Sequence, residues 1–536
     1  MKNRNGLTLI ELLAVIVILA VATSIVSLII MNVIEDSKKG ALKDSAYGIL
    51  KAGELRVAKS QDLNDYTGEI IDITDGTLEY KGTIPNAGII VIRHDGKMKL
   101  EMNHDKWCIT KDYEEPEVTF TKKTSDCDGQ DLVIQSGIEA PVLQDGMIPV
   151  TFDENGNTIK ADINRKWYDY KNKQWANAVS VTSSSRSSYQ SATPGTTIKE
   201  DDILAYFVWI PRYRYRLWNA EYGFSEEQEI QIRFEKKEVM KSEGSKNDQW
   251  LTHPAFTFGD TELAGIWVGK FETTGSYSAP TIKPNKTSYT NSRINMVFQA
   301  IRKFSTTNNY GLSSYDSHMM KNIEWGAVAY LTNSQYGRCT NGTCSDIWIN
   351  NANIGYGNDT FNSSKNKWGP GITGCAGVTS DAKAKSNLTA CESGFDYKQA
   401  GVNASTTGNI TGIYDMSGGV SETVMAVMKD ETGNILYSNS GFSSTSMPNL
   451  KYYDLYEFSD EDNDLTIGKL GDATREMIKE KSGWYHDTTV MPRTSIPWFS
   501  RGGNMGNMTE AGLFAFTRTR GDTSSSSGSR VVVVFE

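Results

Sequence analysis

A chain of 536 residues is longer than one hydrophobic core usually serves, so two or more domains are expected once any targeting segment is set aside. Hydrophobic residues at 38%, aromatics at 10% and 47 glycines describe a globular, turn-rich chain and argue against disorder or a long helical solenoid. A formal charge of -10 argues against a general nucleic-acid binder, because gripping a phosphate backbone needs Lys and Arg concentrated on one face.

Residues 1–6 carry Lys2 and Arg4 and end in Gly6, and the next 25 residues, 7–31, contain one charged side chain, Glu11. At about 1.5 Å per residue that stretch reaches roughly 37 Å, enough to cross a hydrocarbon core about 30 Å thick with some tilt. The basic residues in front of it keep that end cytoplasmic. A lone carboxylate in such a stretch is costly unless paired, so Glu11 requires a partner within the membrane or an assembled particle. The run Gly6-Leu7-Thr8-Leu9-Ile10-Glu11-Leu12-Leu13 closely resembles the processing site of type IV pilins and pseudopilins. The resemblance implies a leader peptide at 1–6, cleavage after Gly6 by a prepilin peptidase and methylation of the new amine on Leu7. It also implies that Glu11 pairs with an amine during assembly. The protein would then be a single-pass membrane protein before assembly and part of a surface filament afterwards, with other pilin subunits as partners. An ordinary secretory signal is the alternative, since Ala20-Val21-Ala22 offers a small-x-small site, yet it leaves Glu11 and the apolar run 25–31 unexplained. A plain single-span anchor is the third reading.

Beyond the span, Leu42, Ala46, Ile49, Leu50 and Val57 recur at helical spacing, weakened by Gly40, Gly48 and Gly53. Short β-rich runs follow at 77–80, 88–93 and 97–102, and Asp95-Gly96 signals a tight hairpin between the last two. The pilin resemblance implies a long helix whose second half lies under a small antiparallel sheet, so 7–133 reads as a complete small pilin, with its helix continuation and β head at 32–133. Six cysteines lie downstream of the apolar stretch. Sequence order suggests Cys108 with Cys127, Cys339 with Cys344 and Cys375 with Cys391, among the 15 connectivities that six allow.

From 134 the chain turns to loops rich in Gly, Ser, Thr and Asn. Residues 134–200 read as a β-rich connection, with an aromatic alternation at Trp167, Tyr168, Tyr170 and Trp175 suited to paired strands and a Ser-rich stretch at 183–197 suited to a flexible link. The aromatic stripe could stack on a sugar, although packing is the commoner use of such rings. Four blocks then carry a second resemblance: 207–212 (FVWIPR), 265–272 (GIWVGKFE), 412–422 (GIYDMSGGVSE), and Arg501-Gly502-Gly503 followed by 528–532 (GSRVV). In that order they look like the formylglycine-generating-enzyme domain, a C-type-lectin-related fold, covering 201–536. The third block departs from the family pattern at Gly419, where an Asn is usual, and at Thr423, where a Trp is usual. The fold class implied is α+β: a long hydrophobic helix with a small antiparallel pilin head, then a large loop-rich C-type-lectin-like domain.

Catalytic members of that family use two cysteines in the terminal block to bind copper and oxidise a substrate cysteine, and residues 501–536 contain none. Oxidase chemistry therefore lacks its reactive atoms, and no enzyme activity or cofactor is expected. The five histidines, His94, His104, His253, His318 and His486, are scattered without metal-ligand spacing, and Asp460, Asp462 and Asp464 lack the glycine that a calcium loop needs at its sixth position, so no metal is expected. Arg520-Gly521-Asp522 is too short a match to an integrin-type tripeptide to weigh. Non-catalytic relatives of the fold bind ligands, some through a terminal block that opens with R-G-G. By that resemblance Asn504, Met505, Asn507, Met508, Thr509, Phe514, Phe516, Thr517, Arg518, Thr519 and Arg520 are candidate recognition residues for an extracellular protein or glycan, while burial of the apolar members is equally open. The expected role is a minor, tip-located pilus subunit displaying a non-catalytic adhesion domain. The alternatives are a pseudopilin of a secretion or DNA-uptake machine and an enzyme anchored to the cell surface by a pilin-like segment.

Overall fold

The computed structural model describes residues 9–59, 69–122 except 75 and 94–95, 127, 138–350 except 164–166, 218–225, 238–240 and 245–248, then 361–362, 367–368, 371–375, 397–398, and 400–536 except 480–481, 505–506 and 508–509. The chain is mixed α/β with few helices, a long N-terminal helix and many antiparallel sheets. It divides into two compact units, Met1–Ser136 and Gly137–Glu536.

In the first unit, helix α1 (Leu9–Lys59) runs 51 residues without a break. Its C-terminal half carries the periodic set read from the sequence: Leu42, Ala46, Ile49, Leu50 and Val57 are all buried. They pack on a five-stranded antiparallel meander of β1 (Glu69–Asp72), β2 (Ala87–Ile92), β3 (Met98–His104), β4 (Trp107–Lys111) and β5 (Thr119–Lys122). Side chains alternate across a strand, and Ile90, Ile92, Leu100, Met102 and Ile109 form the face turned to the helix. Between β2 and β3, which pair antiparallel, Gly96 of the expected hairpin adopts φ 79° and Arg93 N–H donates to Lys97 O at 2.8 Å; Asp95 lies outside the described residues. Residues 77–80 are not a strand: Leu78 turns into the core, and β1 lies earlier in the chain. Exposed ion pairs, Lys106 with Glu35 at 2.7 Å and Lys43 with Glu117 at 3.5 Å, fasten sheet to helix and contribute little individually. Cys108 and Cys127 form a disulfide.

The second unit is built on a seven-stranded antiparallel sheet. Its order is Asp316–Met319, Val531–Val534, Gly265–Gly269, Ile203–Pro211, Asn177–Val181, Ile148–Phe152 and Thr158–Lys160. The sequence set 134–200 apart as a connection, whereas three of these strands come from it. Asn177–Val181 pairs directly with Ile203–Pro211, because strands buried on both faces need a neighbour on each edge. The Ser-rich stretch expected to be a flexible link holds a short helix, Arg186–Ser191, and bridges back through Thr197 to Ile159. Tyr170 and Trp175 of the aromatic stripe are buried and packed ring on ring at 6.2 Å, which is the packing reading. A second sheet centres on Ser421–Met428. Antiparallel Trp498–Arg501 and parallel Asp454–Tyr456 and Ser527–Gly528 pair with it, and Phe516–Thr519 extends it beyond Trp498–Arg501. Two helices, Ile294–Thr306 and the wholly buried Asn322–Thr332, pack in this unit. Cys339 and Cys344 form a disulfide; Cys375 is also disulfide-bonded, and its candidate partner Cys391 lies outside the described residues.

Candidate functional site

Two regions can carry function: the N-terminal segment and the terminal block of the second unit. Gly6 and Leu7 lie outside the described residues; Glu11 lies within α1, its side chain outside them. Among the described side chains, the N-terminal half of α1 presents many bare apolar groups, with Leu9 88%, Ile10 77%, Leu13 62% and Ile18 66% exposed. Water-exposed apolar area on that scale marks a surface to be covered by another apolar phase or another protein. Among the described residues no helix is long and apolar enough to cross a membrane; within 9–34 the side chains of 11, 24–25, 27–29 and 32 fall outside them.

In the second unit three of the blocks singled out in the sequence, 265–272, 412–422 and 528–532, meet in one buried polar network. Arg530 is fully buried and donates Nε to Glu422 Oε2 at 3.0 Å, a second bond from Nη2 to Glu422 Oε1, Nη1 to Gly269 O at 2.8 Å and Nη2 to Tyr414 O at 2.8 Å. One guanidinium thus ties the terminal block to the 265–272 and 412–422 blocks, using the planar fork that suits a carboxylate. Lys270, also buried, donates to Asn177 Oδ1 at 2.7 Å, Ile410 O at 2.6 Å and Gly412 O at 3.0 Å; burial pulls its ammonium well below the usual lysine range. Glu272 accepts from Val420 N–H at 2.9 Å and from the Ser288 hydroxyl, and Asp415 accepts from Asn350 Nδ2 at 2.7 Å and Gly374 N–H at 2.8 Å. Burial raises Glu272 well above the usual carboxylate range, aided by the Asp415 and Glu422 charges. Burial also pushes Glu422 up to about 7, against the pull of Arg530. Gly418 and Gly419 adopt φ 78° and 65°, and a Cβ on Gly419 would collide with the Glu272 carboxylate. These glycines are therefore needed by the backbone turn and the close approach.

A second network surrounds Arg501. Its Nη2 donates to Ala473 O at 3.0 Å, and its guanidinium lies over the rings of Trp325 and Phe516 at 5.5 and 5.6 Å. Burial lowers it to about 10. Beside it, Asp472 accepts from Tyr456 OH at 2.6 Å, and Glu476 accepts from the Tyr330 hydroxyl and from Gly471 N–H at 3.0 Å. Burial, then the Asp472 charge, pushes Glu476 up to about 7.

Of the candidate recognition residues, Phe514 and Phe516 are fully buried. Phe514 packs edge-on to Trp484 at 5.2 Å and stacks on Tyr485, so these two phenylalanines belong to the core. Arg518 is held by Asp462 at 2.7 Å and by Met491 O at 3.3 Å. Asn504 and Asn507 are half-buried and joined, Asn507 Oδ1 accepting from Asn504 N–H at 2.8 Å; Thr517 and Thr519 are half-buried and Arg520 is exposed. Met505, Met508 and Thr509 lie outside the described residues. Asp460 accepts from Thr494 Oγ1 at 2.9 Å, Asp462 pairs with Arg518 and Arg493, and Asp464 caps the turn Leu465–Ile467, so protein donors occupy all three carboxylates. Among the described residues no group of three His, Cys, Asp or Glu side chains could hold a metal ion. The polar partners Asn177, Ser288, Asn350 and Glu476 carried no signal in the sequence.

Residues 1–27 match the prokaryotic N-terminal methylation motif, which supports reading the chain as a type IV pilin- or pseudopilin-like subunit. The same motif suggests processing by a prepilin peptidase, membrane anchoring followed by surface placement, and other pilin subunits as partners. No curated protein matches the sequence.

Proposed function

We propose that this chain is a minor type IV pilus subunit, located at the filament tip, whose second unit is a non-catalytic ligand-binding domain. The observation that carries the reading is the methylation motif at 1–27 running directly into α1, a helix capped by a sheet along one half and bare and apolar along the other. That division suits a subunit whose apolar half crosses a membrane before assembly, as the 25-residue run 7–31 allows, and packs in a filament core afterwards. Tip placement is supported by bulk: a unit of some 400 residues, Gly137–Glu536, would crowd every turn of a repeating shaft.

The resemblance of 201–536 to the formylglycine-generating-enzyme fold supports a binding module. Its blocks at 265–272, 412–422 and 528–532 are spent on the buried network of Arg530 and Glu272, and residues 501–536 hold no cysteine for copper chemistry. The deciding experiment is mass spectrometry of the N-terminal peptide from cells. The expected species begins at methylated Leu7; one that begins at Thr23 or at Met1 would sink the filament reading. Gold-labelled antibody to the second unit is expected at filament ends, and label along the shaft would overturn the tip assignment. Turnover or stoichiometric copper in the purified protein would revive the enzyme alternative.

A further inference from the structure

His318 is fully buried at a corner where several segments of the second unit meet. It lies in Asp316–Met319, the strand at one border of the seven-stranded sheet, and stands opposite Val532 of the strand Val531–Val534. One face of its ring stacks on Phe258 at 4.7 Å. Both ring nitrogens face carboxylates: Nε2 is 2.9 Å from Glu324 Oε1, a hydrogen bond, and Nδ1 is 3.5 Å from Asp316 Oδ1, an ion-pair distance. These carboxylates are themselves held. Asp316 takes Arg302 Nη1 at 2.5 Å from the helix Ile294–Thr306 and the Tyr452 hydroxyl at 2.6 Å from the turn Leu450–Tyr452, with Lys451 Nζ at 3.8 Å; Lys451 in turn pairs with Glu536 at 2.6 Å. Glu324 accepts from Lys321 N–H at 2.8 Å and has Lys321 Nζ at 3.6 Å. Beyond it, Asp454 accepts from Ile323 N–H at 2.8 Å and feels the charge of Lys469.

A neutral imidazole carries one N–H and one lone pair, so one of its two nitrogens would set a lone pair against a carboxylate, whereas the imidazolium donates at both. Burial works against the charge, but the Glu324 and Asp316 carboxylates outweigh it and hold His318 above its ordinary value of 6.5. Folding thus favours the protonated ring: its contribution is fully present below about pH 6.5 and is lost as pH rises through the raised folded value. What the proton secures is a sheet border. Asp316–Met319 covers one side of Val531–Val534, and if it lifts, the backbone N–H and C=O groups of that strand become an open edge able to pair with another chain.

We propose that His318 is an acid-closed clamp, whose proton fastens the strand Asp316–Met319 to the helix Asn322–Thr332 and whose loss as pH rises loosens this corner of the second unit. The clamp concerns the second unit alone and is independent of the filament reading. Glu422 and Glu476 also lose protons as pH rises, but they bond to Arg530 and Tyr330, so the test reads the His318 corner itself.

Diethyl pyrocarbonate acylates neutral imidazole nitrogens that it can reach, and peptide mass spectrometry assigns each modified histidine. In the full-length chain in detergent, the exposed His486 supplies the internal reference for the reagent. Buried His318 reacts only on opening, so the ratio of its rate to that of His486 is expected to rise by up to about tenfold per pH unit above 6.5. A ratio that stays constant or falls would overturn the proposal. Glu324→Gln removes the carboxylate charge while keeping an oxygen for Lys321 N–H, and should raise the ratio at pH 6 and flatten its rise. Glu476→Gln should leave the rise intact. A parent-like profile in Glu324→Gln, or a rise abolished by Glu476→Gln, would place the proton elsewhere and overturn the clamp. Should Glu324→Gln fail to fold, the ratio in the parent still decides.

Discussion

The two units solve the problem of stability in opposite ways. The first is held by local pattern: one long helix with an apolar stripe, a meander in which each strand pairs with the next in sequence, and exposed ion pairs of small individual value. The second is held by distant polar groups driven into its interior. Arg530 reaches Glu422 across 108 residues, and Lys270 reaches Asn177 across 93. Buried charge of this kind adds little when complete and costs a great deal when broken, so the second unit should be brittle to single substitutions that the first would absorb.

The sharpest way to test that contrast is Arg530→Ala. It leaves Glu422 buried without its cation and orphans two carbonyl oxygens, so the second unit should lose about 3–5 kcal/mol. Calorimetry should show one transition moving down by many degrees while that of the first unit stays in place. Two transitions falling together would show that stability is shared and the contrast false. Removing the disulfide by Cys108→Ser with Cys127→Ser frees a chain segment of 19 residues' separation in the first unit, with an expected loss of about 3 kcal/mol by chain entropy.

The same contrast explains what could be read from the sequence. Leu42, Ala46, Ile49, Leu50 and Val57 announced the helix face because helical periodicity is local, and the hairpin at 95–96 because Gly96 supplies a positive φ. Strands β4 and β5 went unseen: β4 carries Lys111 on the same face as Ile109, and the edge strand β5 sets only Phe120 against the core, between exposed Thr119 and Thr121. In the second unit the motif blocks stood out, yet the residues that complete them did not. Asn350, which holds Asp415 from 65 residues away, looks like any loop asparagine. The terminal block misled for a related reason: Phe514 and Phe516 stand close before the polar run Thr517-Arg518-Thr519-Arg520, and only their three-dimensional neighbours, Trp484 and Tyr485 for Phe514 and Arg501 for Phe516, show them to be core.

A pH titration bears on the buried carboxylates. Glu422 and Glu476 sit at about 7 in the folded chain, above the ordinary glutamate value of 4.5 that they regain on unfolding. The protonated form is thus favoured by folding. Their contribution is fully present below about pH 4.5 and is lost as pH rises through 7. The melting temperature of the second unit should fall between pH 5 and pH 8. Glu476→Gln, which keeps an oxygen for Tyr330 and Gly471, should flatten that fall. A profile rising with pH would mean that these carboxylates are ionised in the fold.

The smallest effect lies in the helix glycines of the first unit. A Cβ on Gly48 would strike the carbonyl oxygen of Lys81 and one on Gly53 would press on Met98, so both are required by the close approach of the chain. Gly40 meets nothing within 4 Å and lines an open groove with Lys39, Lys43 and Phe120. In a helix interior glycine costs roughly 0.5–1 kcal/mol relative to alanine, so Gly40→Ala should raise the stability of the first unit by about that amount, measured by urea unfolding, while Gly48→Ala lowers it. If Gly40→Ala were destabilising as well, the local-pattern account of this unit would lack a contact that holds the helix at that position.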